Sequence, residues 1–247
     1  MNLKVPRGTK DILPNEIAYW QFVESTARDM FDLYNFHEIR TPIFEMTELF
    51  ERGIGENTEI FEKEMYNFQD RKGRNFTLRP EGTASIARSY LTNNMYNDHT
   101  QCKFYYIGPF FRYERPQAGR YRQFHQIGVE NIGVDYAYAD AEMISMGYHL
   151  FEKMGIKNLN VLINSVGCEI SRPVIEEKVK QFLSANLSRF PDYIRDKFNK
   201  NPLRILDSKD ETVQACIAGM PDFKSALSQK SKDHFHSVLE YLDTMKI

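Results

Sequence analysis

Two long stretches rich in aromatic and aliphatic residues, 102–112 and 125–134, constrain the fold of this chain more than any other feature. Both are predicted to be β-strands, because aromatic and β-branched side chains suit a pleated, half-buried surface. The segment between them is polar and basic, and it is too long for a tight turn. Residues 65–68 and 75–80 predict another pair of strands around a polar turn at 70–73, which indicates an antiparallel hairpin.

Helical periodicity surrounds these strands. Apolar residues recur every three or four positions from Asn15 to Tyr34, which predicts an amphipathic helix with Asn15 as its N-cap. Residues 37–44 are predicted to form a strand that Pro42 interrupts, so this strand should lie at a sheet edge or carry a kink. Further helices are predicted at 83–92 and at 140–155, the latter capped by Asp140, and a further strand at 158–164.

The hydrophobic pattern of the sequence changes near Arg172. Beyond this point strand signals almost vanish, and helical patterns dominate at 174–187, 191–199, 210–218 and 233–245. We therefore expect two domains, residues 1–171 with strands and helices and residues 172–247 as a small helical module. The fold class is predicted to be α+β, with an antiparallel sheet flanked by helices rather than a doubly wound sheet.

Charge and cysteine content narrow the functional class. The 247 residues include 32 Lys+Arg and 34 Asp+Glu, a net charge of −2, so any nucleic-acid contact must come from a local basic patch. Three widely spaced cysteines, without a metal-ligand spacing, disfavour both a disulfide framework and a zinc site. The N-terminus has no apolar signal region, and no run of 18 apolar residues occurs, so we expect a cytoplasmic protein without a membrane span.

The strongest chemical signal is the segment from Arg112 to Glu130, which contains four arginines, two glutamates and no lysine, a local charge of +2. The planar fork of arginine suits phosphate oxygens. Tyr121 and Phe124 alternate with Arg120 and Arg122, so rings and cations could serve a polyphosphate that carries a base. The alternative is a solvated hairpin tip with ordinary ion pairs.

Acidic residues mark two other positions. Arg79–Thr83 ends a strand and begins a helix, so Glu81 could bind an ammonium group and Thr83 could cap the helix. Glu130 follows an apolar run, where an unpaired carboxylate is costly to bury. A plain capping loop and a structural ion pair are the respective alternatives.

These segments together resemble the catalytic core of the histidyl-tRNA synthetases, a family of class II aminoacyl-tRNA synthetases. Phe111–Glu130 is similar to class II motif 2, and Tyr34–Glu45 is similar to motif 1, which serves the dimer interface. Arg79–Thr83 resembles the amino-acid-binding loop of the family. The N-terminal segment and the helical insertion of the family are matched by Pro6–Asp11 and Asn201–Asp207.

The resemblance implies a role for each matching side chain. Four would bind ATP: Arg112, Glu114, Arg120 and Phe124. Four would bind histidine: Glu81, Thr83, Gln126 and Glu130. Three would contact the tRNA acceptor end: Arg115, Gln117 and Arg122. Arg112 would be the catalytic residue, because it would stabilise the charge that develops at the α-phosphate.

The implied reaction joins histidine to ATP as histidyl-adenylate and then transfers the histidyl group to the 3′ end of histidine tRNA. The implied ligands are histidine, ATP, histidine tRNA and Mg²⁺ carried by the ATP phosphates, with no metal site of the protein's own. A homodimer is implied by the motif 1 match. The region from 1 to 171 would be the class II core, and the region from 172 to 247 would be the helical insertion module.

The family continues with an Arg-Gly-Leu-Asp-Tyr-Tyr segment, motif 3 and an anticodon-binding domain, none of which occurs in these 247 residues. We therefore expect an N-terminal part of such an enzyme that charges tRNA poorly or not at all by itself. The alternative is the histidine-sensing regulatory subunit of ATP phosphoribosyltransferase, a paralogue of this family. Arg112, Glu114, Arg120 and the helical region after residue 172 favour the synthetase.

Overall fold

The computed structural model describes residues 3–54, 64–97, 100–117, 119–194, 198, 205–206 and 208–247. These residues form two compact units, one of Met1–Asp135 with Glu142–Leu159 and one of Tyr136–Ala141 with Asn160–Ile247. The predicted α+β class, with antiparallel sheet flanked by helices, is confirmed. The domain boundary between residues 171 and 172 stays a prediction.

The first unit contains a three-stranded sheet that is dominated by one long antiparallel pair. Its strands are β1 (His37–Glu38), β5 (Cys102–Phe111) and β6 (Gln123–Ile132), in the order β1-β5-β6. β5 and β6 pair over ten residues, from Cys102 opposite Ile132 to Phe111 opposite Gln123. The short β1 pairs with β5 in parallel, and this is the one departure from an antiparallel arrangement among the described strands.

A second three-stranded sheet holds the hairpin that the sequence predicts. It contains β2 (Phe44–Met46), β3 (Tyr66–Gln69) and β4 (Asn75–Leu78), all antiparallel, in the order β2-β4-β3. The predicted strand at 37–44 is thus two short strands in different sheets. Pro42 lies between them, where a residue without an N–H group removes no ladder hydrogen bond.

The structure describes four α-helices in the first unit. They are α1 (Pro14–Leu33), α2 (Thr47–Ile54), α3 (Thr83–Thr92) and α4 (Ala137–Lys153), of which α4 contributes residues to both units. One face of the strand pair packs with α1 and α4 in an apolar core that includes Phe31, Tyr105 and Met146. On the other face, Tyr106 and Phe110 pack with Ile86 of α3. The long pair therefore packs against apolar side chains on both faces, and its buried residues lie on β5.

Arg79 connects the two sheets. It lies just after β4, is only 8% exposed, and donates its Nε to the carbonyl of Pro109 in β5 at 2.9 Å. Its Nη1 donates to the carbonyl of Thr41, before β2, at 3.1 Å, and its guanidinium lies 4.5 Å from the centre of the Phe110 ring. Burial lowers the pKa of Arg79 from its ordinary value. One buried cation thus satisfies backbone acceptors on two separate segments.

From Ser171 onwards, the regular elements that the structure describes in the second unit are helical. Its helices are α5 (Ser171–Ala185), α6 (Glu211–Ile217) and α7 (Gln229–Thr244), with short 3₁₀ turns at Leu187–Arg189 and Phe223–Ala226. Val179, Leu183, Ile194 and Val213 belong to its buried core. The segment matched to the family insertion, Asn201–Asp207, and part of the helix predicted at 191–199 lie largely outside the described residues.

Several predicted boundaries are wrong. α1 begins at Pro14 rather than after an Asn15 cap, because proline is favoured at the first helical position. α4 begins at Ala137, so Asp140 lies inside its first turn instead of capping it. α7 begins at Gln229 with Ser228 as its cap, four residues before the predicted start. Residues 158–164 form no strand, since no described strand pairs with them.

Because Arg79 connects the two sheets, we expect its replacement to lower the stability of the fold substantially. In Arg79→Met the side-chain volume is kept, but the carbonyls of Pro109 and Thr41 lose their donor. Unsatisfied buried acceptors should lower the free energy of unfolding by about 2–4 kcal/mol. Urea denaturation followed by circular dichroism measures this change. The matched control is Arg71→Met, in the exposed turn between β3 and β4. A loss equal to that of the control would contradict the role assigned to Arg79.

Candidate active site

The site residues of β6 share one face of the strand. Side chains alternate along a strand, so Phe124, Gln126, Gly128 and Glu130 all lie on the face opposite the α1–α4 core. Their partners on β5 lie on the same face and are Phe110, Gly108, Tyr106 and Phe104, respectively. The register of one strand pair therefore presents three of the predicted ligand-binding side chains side by side.

The loop before α3 brings the remaining histidine-site residues to this face. Glu81 accepts hydrogen bonds from the backbone N–H groups of Thr83 at 2.5 Å and Ala84 at 3.0 Å, so it satisfies the exposed donors of the helix start. The Thr83 hydroxyl donates to Oε1 of Glu130 at 2.7 Å. The prediction of Thr83 as the cap is wrong, because Gly82 occupies the cap position and Glu81 supplies the capping oxygens.

Glu130 lies in a setting that disfavours its charge. Burial raises the pKa of Glu130 above its ordinary value, and the nearby charge of Glu81 raises it further, while the hydrogen bond from Thr83 opposes both effects. Two carboxylates and a hydroxyl thus converge at one end of the site. A ligand that carries positive charge or N–H donors would relieve the repulsion between them.

Cationic and aromatic side chains lie at the other end of the site. Arg112 donates its Nε to the carbonyl of Pro80 at 2.9 Å, and its guanidinium is 5.2 Å from the centre of the Phe124 ring. Glu114 lies between two arginines, with Arg112 Nη1 at 3.9 Å and Arg120 Nη1 at 3.5 Å from its carboxylate oxygens. The Arg112–Pro80 hydrogen bond therefore attaches this end directly to the loop that carries Glu81 and Thr83.

Two acceptor atoms at the site accept no hydrogen bond within the described part of the chain, although one of them lies in the ion pair with Arg120. They are Oε1 of Gln126 and Oε2 of Glu114, and both are buried. Buried polar atoms are rarely left without a hydrogen bond, so each of them invites a ligand donor. Glu114 belongs to the cationic end, and Gln126 lies four residues before Glu130 on the same strand face.

The hairpin loop between β5 and β6 holds the residues predicted to contact tRNA. Arg115 and Gln117 are exposed, and Gln117 forms an isolated backbone bridge with Arg120. Arg122 is less available, because its guanidinium lies 4.0 Å from the centre of the Tyr113 ring and its Nε donates to the carbonyl of Glu114. Gly8 packs against the Arg122 side chain so closely that a Cβ at Gly8 would lie 2.6 Å from Arg122 Cγ.

The sequence prediction missed two residues that build the site. The Pro80 carbonyl orients Arg112, and a carbonyl acceptor leaves no residue-specific signal in a sequence. Tyr106 fills the space between Gly82 and Gly128. These two glycines lie on separate segments, so the sequence shows their contact with Tyr106 only once the strand register is known.

No group of three His, Cys, Asp or Glu side chains in the described ranges is placed to hold a metal ion. The described helices are also too short or too polar to cross a membrane.

The family profile described as histidyl-tRNA synthetase matches residues 8–181, which is more than half of the chain. The chain belongs to the histidyl-tRNA synthetase family. A histidine–tRNA ligase of Halothermothrix orenii is 49% identical over all 247 residues, and one of Dictyoglomus thermophilum is 50% identical over 242 residues. The chain spans 59% and 58% of the length of these two relatives, respectively.

One solved structure agrees with this family assignment. The apo histidyl-tRNA synthetase of S. aureus matches with a TM-score of 0.75 at 37% identity, covering 100% of this chain and 56% of that one. A protein from Bacillus halodurans C, described as an ATP phosphoribosyltransferase regulatory subunit/histidyl-tRNA synthetase, matches with a TM-score of 0.68 at 19% identity, over 98% of this chain and 64% of that one. The second match shows the fold alone.

The setting of Glu130 predicts a stability gain on its neutralisation. Because its pKa is raised in the folded state, ionised Glu130 costs stability at neutral pH, and this cost disappears as pH falls below the unfolded value near 4.5. Glu130→Gln, which keeps an acceptor for Thr83, should therefore be more stable than the parent chain at pH 7. The difference should shrink as the solution is acidified.

Urea denaturation at pH 7 and at pH 4 measures this effect, with Glu152→Gln on the exposed surface of α4 as control. If Glu130→Gln were less stable than the parent chain at pH 7, the electrostatic description of the site would be wrong.

Proposed function

We propose that this chain is the part of a histidine–tRNA ligase that binds histidine and ATP and forms histidyl-adenylate. One observation carries the proposal: the Arg112–Pro80 hydrogen bond joins a cationic, aromatic end to a carboxylate-lined end within a single site. Such a pair of ends suits an amino acid held by its ammonium group beside a triphosphate. The family membership and the relatives named histidine–tRNA ligase support the same reaction.

Each end has a role in this proposal. Glu81, Thr83 and Gln126 bind the α-ammonium group of histidine, and Glu130 accepts from its imidazole. The orphaned acceptor of Gln126 supports this assignment. Of the remaining site residues, Arg112 binds the α-phosphate, Glu114 binds the adenine amino group, Phe124 stacks on adenine and Arg120 binds the outer phosphates.

The chemistry follows from positioning. A carboxylate oxygen of histidine attacks the α-phosphorus, a new P–O bond forms, and the bond to the outer two phosphates breaks so that pyrophosphate leaves. Arg112 stabilises the negative charge that builds on the α-phosphate oxygens during this step. Mg²⁺ enters with the phosphates of ATP as part of the substrate. The 3′ hydroxyl of histidine tRNA then attacks the activated carbonyl, and AMP leaves; Arg115, Gln117 and Arg122 would lie near that tRNA end.

The role of Arg112 predicts a kinetic loss. In a version extended to the full length of the relatives, Arg112→Ala should lower histidine-dependent ATP–pyrophosphate exchange by roughly 10²-fold or more, because a preorganised donor is lost. Arg71→Ala, in an exposed turn, is the matched control and should exchange at the parent rate. An unchanged rate in Arg112→Ala would remove this residue from the reaction. Histidine binding without any exchange in the parent protein would favour the regulatory-subunit alternative.

We also propose that two copies of the chain pair through the motif 1 region. The outward face of the β2-β4-β3 sheet is apolar and open: Phe44 is 49% exposed, and Phe68 and Met46 are each 42% exposed. Phe44 makes edge-to-face contacts with Phe68 and Phe76, so the aromatic rings form one continuous surface. A contiguous apolar surface of this kind marks an interaction site, and a self-complementary face suits a two-fold dimer.

The dimer is tested by adding one charge to this face. Phe44→Glu should shift the chain from dimer to monomer in sedimentation at micromolar concentration, because a carboxylate would be buried unpaired at the interface. Leu162→Glu adds the same charge at an exposed apolar position outside the sheet and should leave the dimer intact. A parent chain that sediments as a monomer, or a Phe44→Glu variant that stays dimeric, would contradict this interface.

A further inference from the structure

The N-terminal segment Pro6–Asp11 has no role in the function proposed above, yet it contacts the hairpin that carries the site. Gly8 has a backbone φ of +85°, a conformation that glycine adopts without strain. Its carbonyl accepts hydrogen bonds from the backbone N–H groups of Arg122 at 2.6 Å and of Gln123 at 3.3 Å. The segment is therefore attached to the hairpin at the point where the β5–β6 loop enters β6.

The side chain of Arg122 packs on this turn. A Cβ atom added at Gly8 would lie 2.6 Å from Cγ and 2.8 Å from Cδ of Arg122. The guanidinium lies 4.0 Å from the centre of the Tyr113 ring, which in turn makes an edge-to-face contact with Tyr66 of β3 at 5.3 Å. The arginine is thus held at its stem by a glycine and at its charged end by an aromatic ring.

Arg122 also makes two hydrogen bonds to the segment that carries the cationic end of the site. Its Nε donates to the backbone carbonyl of Glu114 at 3.2 Å. Its own backbone carbonyl accepts from the N–H group of Arg112 at 2.9 Å. Arg122 therefore fixes the backbone at two residues, Arg112 and Glu114, whose side chains both lie at the cationic end of the site.

The orientation of the backbone matters most at Glu114. Oε2 of its carboxylate is buried and accepts no hydrogen bond within the described residues, although Arg120 Nη1 lies 3.5 Å from it. A buried carboxylate is costly unless it meets a donor, so its contribution to ligand binding depends on where the backbone places it. A hydrogen bond to the carbonyl of the same residue limits the rotation of that backbone.

We propose that Arg122 is a positioning residue for the cationic end of the site, which packs on Gly8 and holds the Glu114 backbone so that the carboxylate faces the ligand. The identity of that ligand as ATP rests on the proposed function. The positioning contact itself rests only on the hydrogen bonds and on the packing against Gly8 and Tyr113. A contact with tRNA would use the charge of Arg122, whereas this role uses its Nε donor.

Two substitutions separate the donor from the charge. Arg122→Lys keeps the apolar stem and the positive charge, but it has a methylene group where arginine has Nε. Arg122→Met keeps a stem of similar length and removes the charge as well. Two readouts are taken on the 247-residue chain. One is the ¹³C chemical shift of the Glu114 carbonyl, which reports the hydrogen bond without a ligand, and the other is calorimetric titration with ATP and Mg²⁺ and with L-histidine.

The same contact can be removed from the other side by Gly8→Ala, because the added Cβ requires the Arg122 side chain to move. Gly73→Ala is the matched control. Gly73 has a similar φ of +75°, but a Cβ added there has no atom of the described residues within 4 Å. Both variants carry the strain of a side chain at positive φ, and only Gly8→Ala displaces Arg122.

We expect the Glu114 carbonyl shift to change in Arg122→Lys, Arg122→Met and Gly8→Ala, and to keep the parent value in Gly73→Ala. The dissociation constant for ATP should increase by roughly threefold to tenfold in the first three variants, the usual effect of one lost hydrogen bond. The dissociation constant for L-histidine should not change, because the carboxylate end is held by hydrogen bonds of its own.

Two outcomes would overturn the role of the Nε donor. If the Glu114 carbonyl shift is the same in both Arg122 variants and in the parent chain, Arg122 does not position Glu114, whatever the chain binds. If Arg122→Lys binds ATP as tightly as the parent chain, the lost donor does not affect the site. Weaker binding in Arg122→Met alone would then assign the effect of the side chain to its charge.

The remaining outcomes separate positioning from general damage and from the proposed function. Equal weakening of ATP and L-histidine binding, or the same changes in Gly73→Ala as in Gly8→Ala, would show a general loss of structure and overturn the role. If the Glu114 carbonyl shift changes as expected but no form, the parent chain included, binds ATP, the positioning contact stands and the assignment of ATP as ligand fails.

Discussion

The ten-residue pairing of β5 with β6 is the constraint on which the site depends. A slip of one residue in this register would turn Phe124, Gln126 and Glu130 toward the α1–α4 core and bring Ile127 and Val129 to the site face. The apolar core on one face and the Tyr106–Gly128 contact on the other both oppose such a slip. The residues that fix the register are therefore not those that bind the ligand, although they share the same strands.

The site contains polar groups whose burial lowers the stability of the fold, and it is surrounded by interactions that raise that stability. Burial of Glu130 beside Glu81 is unfavourable in the free protein, as the raised pKa of Glu130 indicates. The buried acceptor of Gln126, which accepts no hydrogen bond within the described residues, adds to this cost. Compensation comes from the surrounding frame, where Arg79 satisfies carbonyls on two segments and Arg112 anchors the loop through Pro80. A ligand with N–H donors and phosphates would satisfy the groups that the frame leaves open.

The periodicity of the sequence was enough to predict the long strands, the β3–β4 hairpin and α3, because each has a strong local pattern. It failed where a tertiary contact decides the outcome. Residues 37–44 became two strands in different sheets, and Glu81 rather than Thr83 caps α3. The site residues were predicted from the resemblance to a family, whereas Tyr106 could not be, because its importance arises from Gly82 and Gly128 approaching it from separate segments. The sequence shows those glycines but not their proximity.

A crystal structure of the chain grown with L-histidine and ATP tests the central claim most directly, namely that one site with a carboxylate end and a cationic end receives both ligands. We expect the ammonium group of histidine between Glu81, Thr83 and Gln126, its imidazole at Glu130, and the α-phosphate of ATP at Arg112. Electron density for either ligand elsewhere on the chain, with the side chains at this site unchanged, would contradict the claim.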